Sequence, residues 1–304
     1  MSVVVLGIFA ADAAFSADRL PHPGETLLGK GFALGPGGKG SNQAVAAAKA
    51  GAEATLLTRL GRDAFAGLAR DVWVEAGLRA EAIEDAESHT GAAFIFVDAA
   101  TGENAIIVAP GAAGRISEAD VDRWEPAIRA AKVFVTQLEQ PLPPARKALA
   151  LARAAGAATI LNPAPARPLD DDLIALCDWL TPNETEAAML SGRPVETAAD
   201  AAAAAAALRA RGARGVVVTL GAAGALLVDG DGARLVPAFA AGPVVDTTGA
   251  GDAFAGAFAA ALAEGRAPEA AVRFGCAGAA ISVTRRGAAA ASPRRAEIEA
   301  LLAG

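Results

Sequence analysis

The sequence predicts an α/β fold: a doubly wound, mostly parallel sheet with helices on both faces, and a small β-sheet lid added to it. Three observations carry that prediction. Short unbroken runs of Val, Ile and Leu recur along the chain, as strands buried on both faces do. Helical segments separate most of them, which is the rhythm of βαβ crossovers. Two stretches break that rhythm and look like β-structure of their own.

In chain order, Val3 to Phe9 reads as a buried strand, Asn42 to Ala50 as helix, Ala54 to Arg59 as strand and Asp63 to Ala76 as helix. Ser117 to Ala130 is helix, Val133 to Gln137 strand, Pro143 to Ala155 helix and Ala158 to Leu161 strand. Trp179 to Thr181 and Val216 to Thr219 are short strands, with helices at Asn183 to Leu190 and Ala198 to Arg211. The alanine run Ala201 to Ala207 belongs to the last of these, because alanine is the best helix former. The exceptions are roughly Ala13 to Leu34 and Thr90 to Val108. Within the second, Ala92 to Val97 and Ala105 to Val108 are strands joined by the turn Thr101, Gly102, Glu103. Folded together over the ends of the main strands, segments of about 13–34 and 90–108 would form a lid on a single domain spanning 1–304. The open edges of such a lid would suit a homodimer contact.

With 304 residues and a 53% apolar fraction, the chain can bury a large core. A net charge of −7 and no Lys/Arg cluster exclude a nucleic-acid backbone as partner. Cys177 and Cys276 lie too far apart to read as a metal or disulfide framework, which fits a reducing cytoplasm. The apolar run Val3 to Ala11 is too short to cross a membrane and has no basic residue before it.

Chemistry concentrates in three segments. Asp246, Thr247, Thr248, Gly249, Ala250, Gly251, Asp252 runs into a helix-forming stretch. Its glycines let successive N–H groups point at one spot, and the helix dipole adds positive character there, so Gly249, Ala250 and Gly251 can form an anion hole. Asp252 beside it could take a proton from an attacking hydroxyl while the amides hold a phosphoryl group. The same spacing also suits an aspartate in the first turn after a glycine bend, and spacing alone does not choose.

Gly35 to Gln43 (Gly, Pro, Gly, Gly, Lys, Gly, Ser, Asn, Gln) opens another helix. It is not a Walker A loop, since Gly40 stands where a Ser or Thr would meet magnesium. Its Lys39, Ser41 and Asn42 offer partners for the hydroxyls of a polar ligand, though a structural turn with a solvated lysine has the same pattern. In Thr181 to Glu186, Asn183 and Glu186 are three apart, which places an amide and a carboxylate on one helical face as an outer shell for hydrated Mg²⁺ on a triphosphate. That spacing is equally a capping box.

Together these segments resemble the ribokinase branch of the PfkB-type carbohydrate kinase family over essentially the whole chain. The resemblance rests on Leu6 to Asp12, Gly37 to Gln43, Gln137 to Pro141, Asn162 to Arg167, Thr181 to Ala187, Thr219 to Gly224 and Val245 to Phe254. It implies an ATP site in the C-terminal half and a sugar site under the lid, with D-ribose converted to its 5-phosphate. Asp252 would be the base and Gly249, Ala250 and Gly251 the anion hole. Asp12, Gly38, Lys39, Asn42 and Glu139 would bind the sugar. Asn183 and Glu186 would organise Mg²⁺ and phosphate, while Thr219, Gly221, Gly224 and Cys276 would meet the nucleotide. A monovalent-cation loop for K⁺ would comprise Asp246, Thr248, Ser282, Arg285 and Gly287.

Two residues depart from the family pattern. Ala10 stands where ribokinases carry Asn, which removes one hydrogen-bonding side chain from the expected sugar site, and Ala291 stands where a Ser often serves the cation. Another pentose, a deoxysugar, a ketose or a nucleoside is the alternative substrate, and a silent sugar-binding regulator is the alternative of another class. The turn Gly7 to Asp12 lacks the glycines of a dinucleotide site. His22 and His89 lie in no nucleophile or metal motif, which removes histidine-assisted hydrolysis.

Overall fold

The computed structural model describes residues 1–304. Its elements run β1 (Ser2–Leu6), β2 (Ala10–Ala17), β3 (Gly31–Gly37), α1 (Lys39–Lys49), β4 (Glu53–Leu60), α2 (Ala64–Ala76), β5 (Arg79–Glu84), β6 (Ala92–Asp98) and β7 (Asn104–Ala109). There follow α3 (Glu118–Arg129), β8 (Val133–Thr136), α4 (Leu142–Ala154), β9 (Ala158–Leu161), α5 (Asp171–Ile174), β10 (Trp179–Leu180), α6 (Glu184–Ser191) and α7 (Ala198–Ala210). The chain closes with β11 (Gly215–Thr219), β12 (Ala225–Asp229), β13 (Gly232–Val236), α8 (Ala250–Ala263), α9 (Pro268–Ser282) and α10 (Arg295–Ala303).

The larger sheet has the order β13-β12-β11-β10-β9-β8-β1-β4-β5. Only the β11–β12 and β12–β13 pairings are antiparallel. The apolar strands need cover on both faces, and β1 displays the consequence directly. Val3 and Val5 enter one core with Val45 of α1 and Phe254 and Phe258 of α8, whereas Val4 and Leu6 enter another with Trp124 and Ile128 of α3 and Leu149 of α4. The doubly wound arrangement expected from the sequence is therefore present. On the first face α1 and α8 cross closely at Gly256, where an added Cβ would lie 2.5 Å from Ala46 Cβ and from Gln43 O. That close approach brings two helix N-termini to one place. No helix is long and apolar enough to cross a membrane.

The separate lid sheet has the order β3-β2-β6-β7. Two boundaries differ from the sequence reading. The run from Val3 is a strand only as far as Leu6, because Ile8 O turns away to accept Ser41 N–H of α1 at 3.0 Å and the chain re-forms as β2 from Ala10. The segment Gly35 to Gly37, read as part of a glycine turn, is the end of β3, paired with Asp12, Ala11 and Ala10; the turn itself falls at Gly38, with φ 83°.

Candidate active site

Gly249 caps α8 with φ 74°, a left-handed conformation that glycine adopts without strain. Asp252 therefore sits in the first turn, with its side chain buried. Ala250 N–H leans to Thr247 O at 3.2 Å, while the N–H groups of Gly251 and Asp252 have no backbone acceptor. An orphan donor set at a helix N-terminus, beside a carboxylate, is what an anion hole next to a base requires. Both Asp252 oxygens receive amide donors from α1: Asn42 Nδ2 reaches Oδ2 at 3.0 Å and Gln43 Nε2 reaches Oδ1 at 2.9 Å. A cleft of about 190 Å³ opens over this point, lined among others by Lys39, Asn183, Glu186, Thr219, Gly249 and Asp252.

The N-terminus of α1 forms the other wall. Glu139 Oε2 accepts Lys39 N–H at 2.8 Å, so this carboxylate holds the start of the helix and keeps its second oxygen for other partners. Burial raises Glu139 to about 7, with nearby Lys39 opposing the shift. Burial, reinforced by the charge of Asp252, raises Asp12 to about 6. The Asp252 carboxylate, followed by Glu139, Glu186 and Asp12, holds the Lys39 ammonium above its ordinary range. Asn42 Oδ1 is buried without a protein partner. Asp12, Lys39, Asn42 and Glu139 thus converge with Asp252, and Gly38 supplies the bend between them.

Asn183 and Glu186 do form the capping box: Asn183 Oδ1 accepts Glu186 N–H at 2.8 Å, and Glu186 Oε2 accepts Asn183 N–H at 2.9 Å. The same two side chains line the cleft, and burial raises Glu186 above the usual carboxylate range. Thr219 lines it too, at the end of β11; Gly221 and Gly224 follow in the next turn, with φ 51° and 103°. Cys276 is not among the cleft residues. It packs in the core, where burial pushes its thiol up to about 12.

Asp246 ties two loops together by accepting Thr248 N–H and Gly287 N–H, both at 2.9 Å. Burial works to raise this carboxyl, but those hydrogen bonds outweigh it and hold it below the usual range. Ser282 Oγ donates to Ala279 O, and the Arg285 side chain pairs with Glu297, so neither turns toward Asp246. Any ligand set here would draw on backbone carbonyls, in keeping with the lack of a cluster of three His, Cys, Asp or Glu in the structure.

Gln43, Gln137 and Asn162 stand within sequence motifs that assign them no role. The structure links all three to Asp252. One signal was available: Gln43 is an amide inside a helix whose neighbours Ala44 to Ala47 are all apolar, and its side chain is 1% exposed. A buried amide must have partners.

The sequence matches the description "pfkB family carbohydrate kinase" over residues 1–295. It is similar to a ribokinase from Haemophilus influenzae, with 39% identity over 97% of this chain and 96% of the relative. It is similar to a deoxyribokinase from Salmonella typhi at 38% identity, over 96% of both chains. Among solved structures, Arabidopsis thaliana ribokinase complexed with ribose and ATP superimposes with a TM-score of 0.91 at 32% identity, over 99% of this chain and 98% of that one.

Proposed function

The chain belongs to the pfkB family of carbohydrate kinases and is an ATP-dependent sugar kinase of the ribokinase type, and from that premise we propose that Asp252 is its catalytic base. The observation that carries this is the placement of one buried carboxylate at the N-terminal turn of α8, beside free backbone N–H groups and facing the wall that holds Lys39, Asn42, Asp12 and Glu139. The sugar hydroxyl gives its proton to Asp252 as its oxygen bonds to the γ-phosphorus, and the bond from that phosphorus to the ADP oxygen breaks. The amides of Gly249, Gly251 and Asp252 hold the transferring group, the Ala250 N–H being engaged by Thr247 O and not joining them as the sequence suggests, and Lys39 neutralises part of its charge. Asn42 Oδ1, lacking a protein partner, accepts from a sugar hydroxyl; Asp12 and Glu139 accept from others. The turn from Thr219 through Gly221 and Gly224 borders the nucleotide, whereas Cys276 stays in the core and does not meet it.

Asn183 and Glu186 fit Mg²⁺ as outer-shell partners, since one carboxylate and one amide suit an ion that keeps its waters and not an all-protein cage. When bound, the ion neutralises phosphate charge. K⁺ would be held by backbone carbonyls of the loops that Asp246 ties together, which carry Thr248, Ser282, Arg285 and Gly287, and would add a positive charge that steadies the turn leading into Gly249.

D-ribose is the substrate by analogy with the relatives. One observation favours a second reading, 2-deoxyribose. Ala10 lies on the same face of β2 as Asp12, is 2% exposed, and brings no hydrogen-bonding group. Release of ADP from Mg²⁺-ATP, measured against pentoses, deoxysugars, ketoses and nucleosides with and without K⁺, tests the whole reading. Turnover should appear on a pentose or deoxypentose and fall about a thousandfold in Asp252→Asn. Full turnover in that variant would remove Asp252 as the base, and none on any sugar, with binding retained, would favour a silent binding protein.

We also propose that the chain pairs with a second copy through the lid. Phe15, Phe32, Leu34, Phe94 and Ile107 lie on one face of that sheet and are 43%, 62%, 47%, 39% and 69% exposed. An apolar face of this kind marks an association surface. Sedimentation should give a dimer at micromolar concentration and a monomer in Phe32→Asp; a wild-type monomer would refute the pairing.

A further inference from the structure

We infer that Gln43 is a positioning residue for Asp252, locked by a relay of amides running Gln137–Gln43–Asn162–Thr181, buried at Gln137 and Gln43 and half-buried at Asn162. The inference rests on the reading of Asp252 as base. Gln43 Nε2 donates to Asp252 Oδ1 at 2.9 Å and to Asn162 Oδ1 at 3.0 Å. Its Oε1 accepts from Gln137 Nε2 at 2.6 Å. Asn162 is oriented in turn, because its Nδ2 donates to Thr181 O at 2.8 Å. The loop carrying Gln137 is fixed by Gln140 Nε2, which donates to Gln137 O at 2.6 Å and Thr136 Oγ1 at 2.7 Å.

Every polar atom of the Gln43 amide therefore has an assigned partner. Turned over, the amide would set Oε1 against the Asp252 carboxylate and Asn162 Oδ1, and its NH₂ against the NH₂ of Gln137. Whichever way the Gln137 amide is turned, its Oε1 having no partner of its own, the contacts to Asp252 and Asn162 would be mismatched, so only one orientation of Gln43 survives. That orientation keeps an N–H on Oδ1 while Asn42, the preceding residue of α1, keeps one on Oδ2. Donors on both oxygens stop rotation about the last torsion of Asp252. The carboxylate is thus aimed before any substrate arrives, as a base that must meet a hydroxyl within a fraction of an ångström requires.

The test is the pH dependence of kcat at saturating sugar and ATP for the full chain and for Gln43→Met, Gln137→Met and Asp252→Asn. The other charged groups that face Asp252 are Lys39 on α1, Asp12 on β2, Glu139 after β8 and Glu186 on α6, and all remain in each variant. Gln43→Met should lower kcat at pH 7 about tenfold and move the acid limb of the profile up by about one pH unit, with KM values changing less than about threefold. Gln137→Met, which cannot touch Asp252, should shift the limb the same way by less. A role in packing alone would lower the melting temperature and leave the limb in place. An unmoved limb in Gln43→Met, or in Gln137→Met where Gln43→Met does not fold, overturns the inference provided that Asp252→Asn is inactive. An active Asp252→Asn fails the base itself, a separate and distinguishable result.

Discussion

Asp252 and Asp12 feel each other's charge across the same site, yet the protein treats them in opposite ways. Asp252 receives two amide donors from α1 and sits beside unclaimed backbone N–H groups. Asp12 is enclosed, but no protein hydrogen bond offsets its burial, and its proton affinity rises accordingly. Glu139 is intermediate, with one backbone donor. The difference fits the roles proposed for these groups. A base has to be aimed in advance, so its partners come from the protein; carboxylates that grip a ligand are left for the ligand's own hydroxyls to satisfy.

If the Asp252 side is built in advance, a single methyl group should spoil its function without disturbing the fold. Gly251 provides the test, because a Cβ there meets nothing within 4 Å and would project into open space next to Asp252 in the chain. Gly251→Ala should melt near the wild-type temperature and lose about a hundredfold in kcat. Gly249 is the counterpart, for its φ is 74° and a Cβ would press to 2.7 Å on Ala288 Cα. Gly249→Ala should lose about 1–3 kcal/mol of stability, read by denaturant unfolding. Equal loss of stability in both variants would break the distinction between a glycine that shapes the turn and one that clears room for phosphate.

The same contrast marks what could be read from sequence. Ala158–Leu161 is a strand to the residue, because an apolar run between a turn and a polar loop has one solution in a parallel sheet. Arg79–Glu84 is not legible as a strand: its charged and small residues lie on the sheet's edge, where propensity is weak and β4 decides. The hairpin of β12 and β13 and the last two helices, α9 and α10, were likewise unassigned, though Gly230 and Asp231 mark the hairpin turn. At the site, a carboxylate in the first helical turn after a glycine bend was legible because Gly249, Gly251 and Asp252 are adjacent in the chain. The amides that aim Asp252 were not, since Gln43 and Asn162 lie 209 and 119 residues from their partners, and only the crossing of α1 and α8 brings Gln43 to Asp252.

The ligand-gripping side should reveal itself through pH, with a smaller effect. As pH falls from 8 to 5.5, Glu139 at about 7 and Asp12 at about 6 take up protons and lose their charged acceptors, so kcat/KM for the sugar should drop about tenfold. Asp12→Asn should start from that lower value at pH 8 and keep only the Glu139 step. Stability should move the other way. Both groups stand above their unfolded values of 3.8 and 4.5, so the sugar-free protein binds more protons than the unfolded chain across this range. Their contribution to stability is therefore present in acid and lost as pH rises through 6 and 7. The sugar-free melting temperature should rise on going from pH 8 to 6 while sugar affinity falls, and Asp12→Asn should flatten part of both trends. Parallel changes would mean that the two carboxylates already have partners within the protein, and the contrast with Asp252 would disappear.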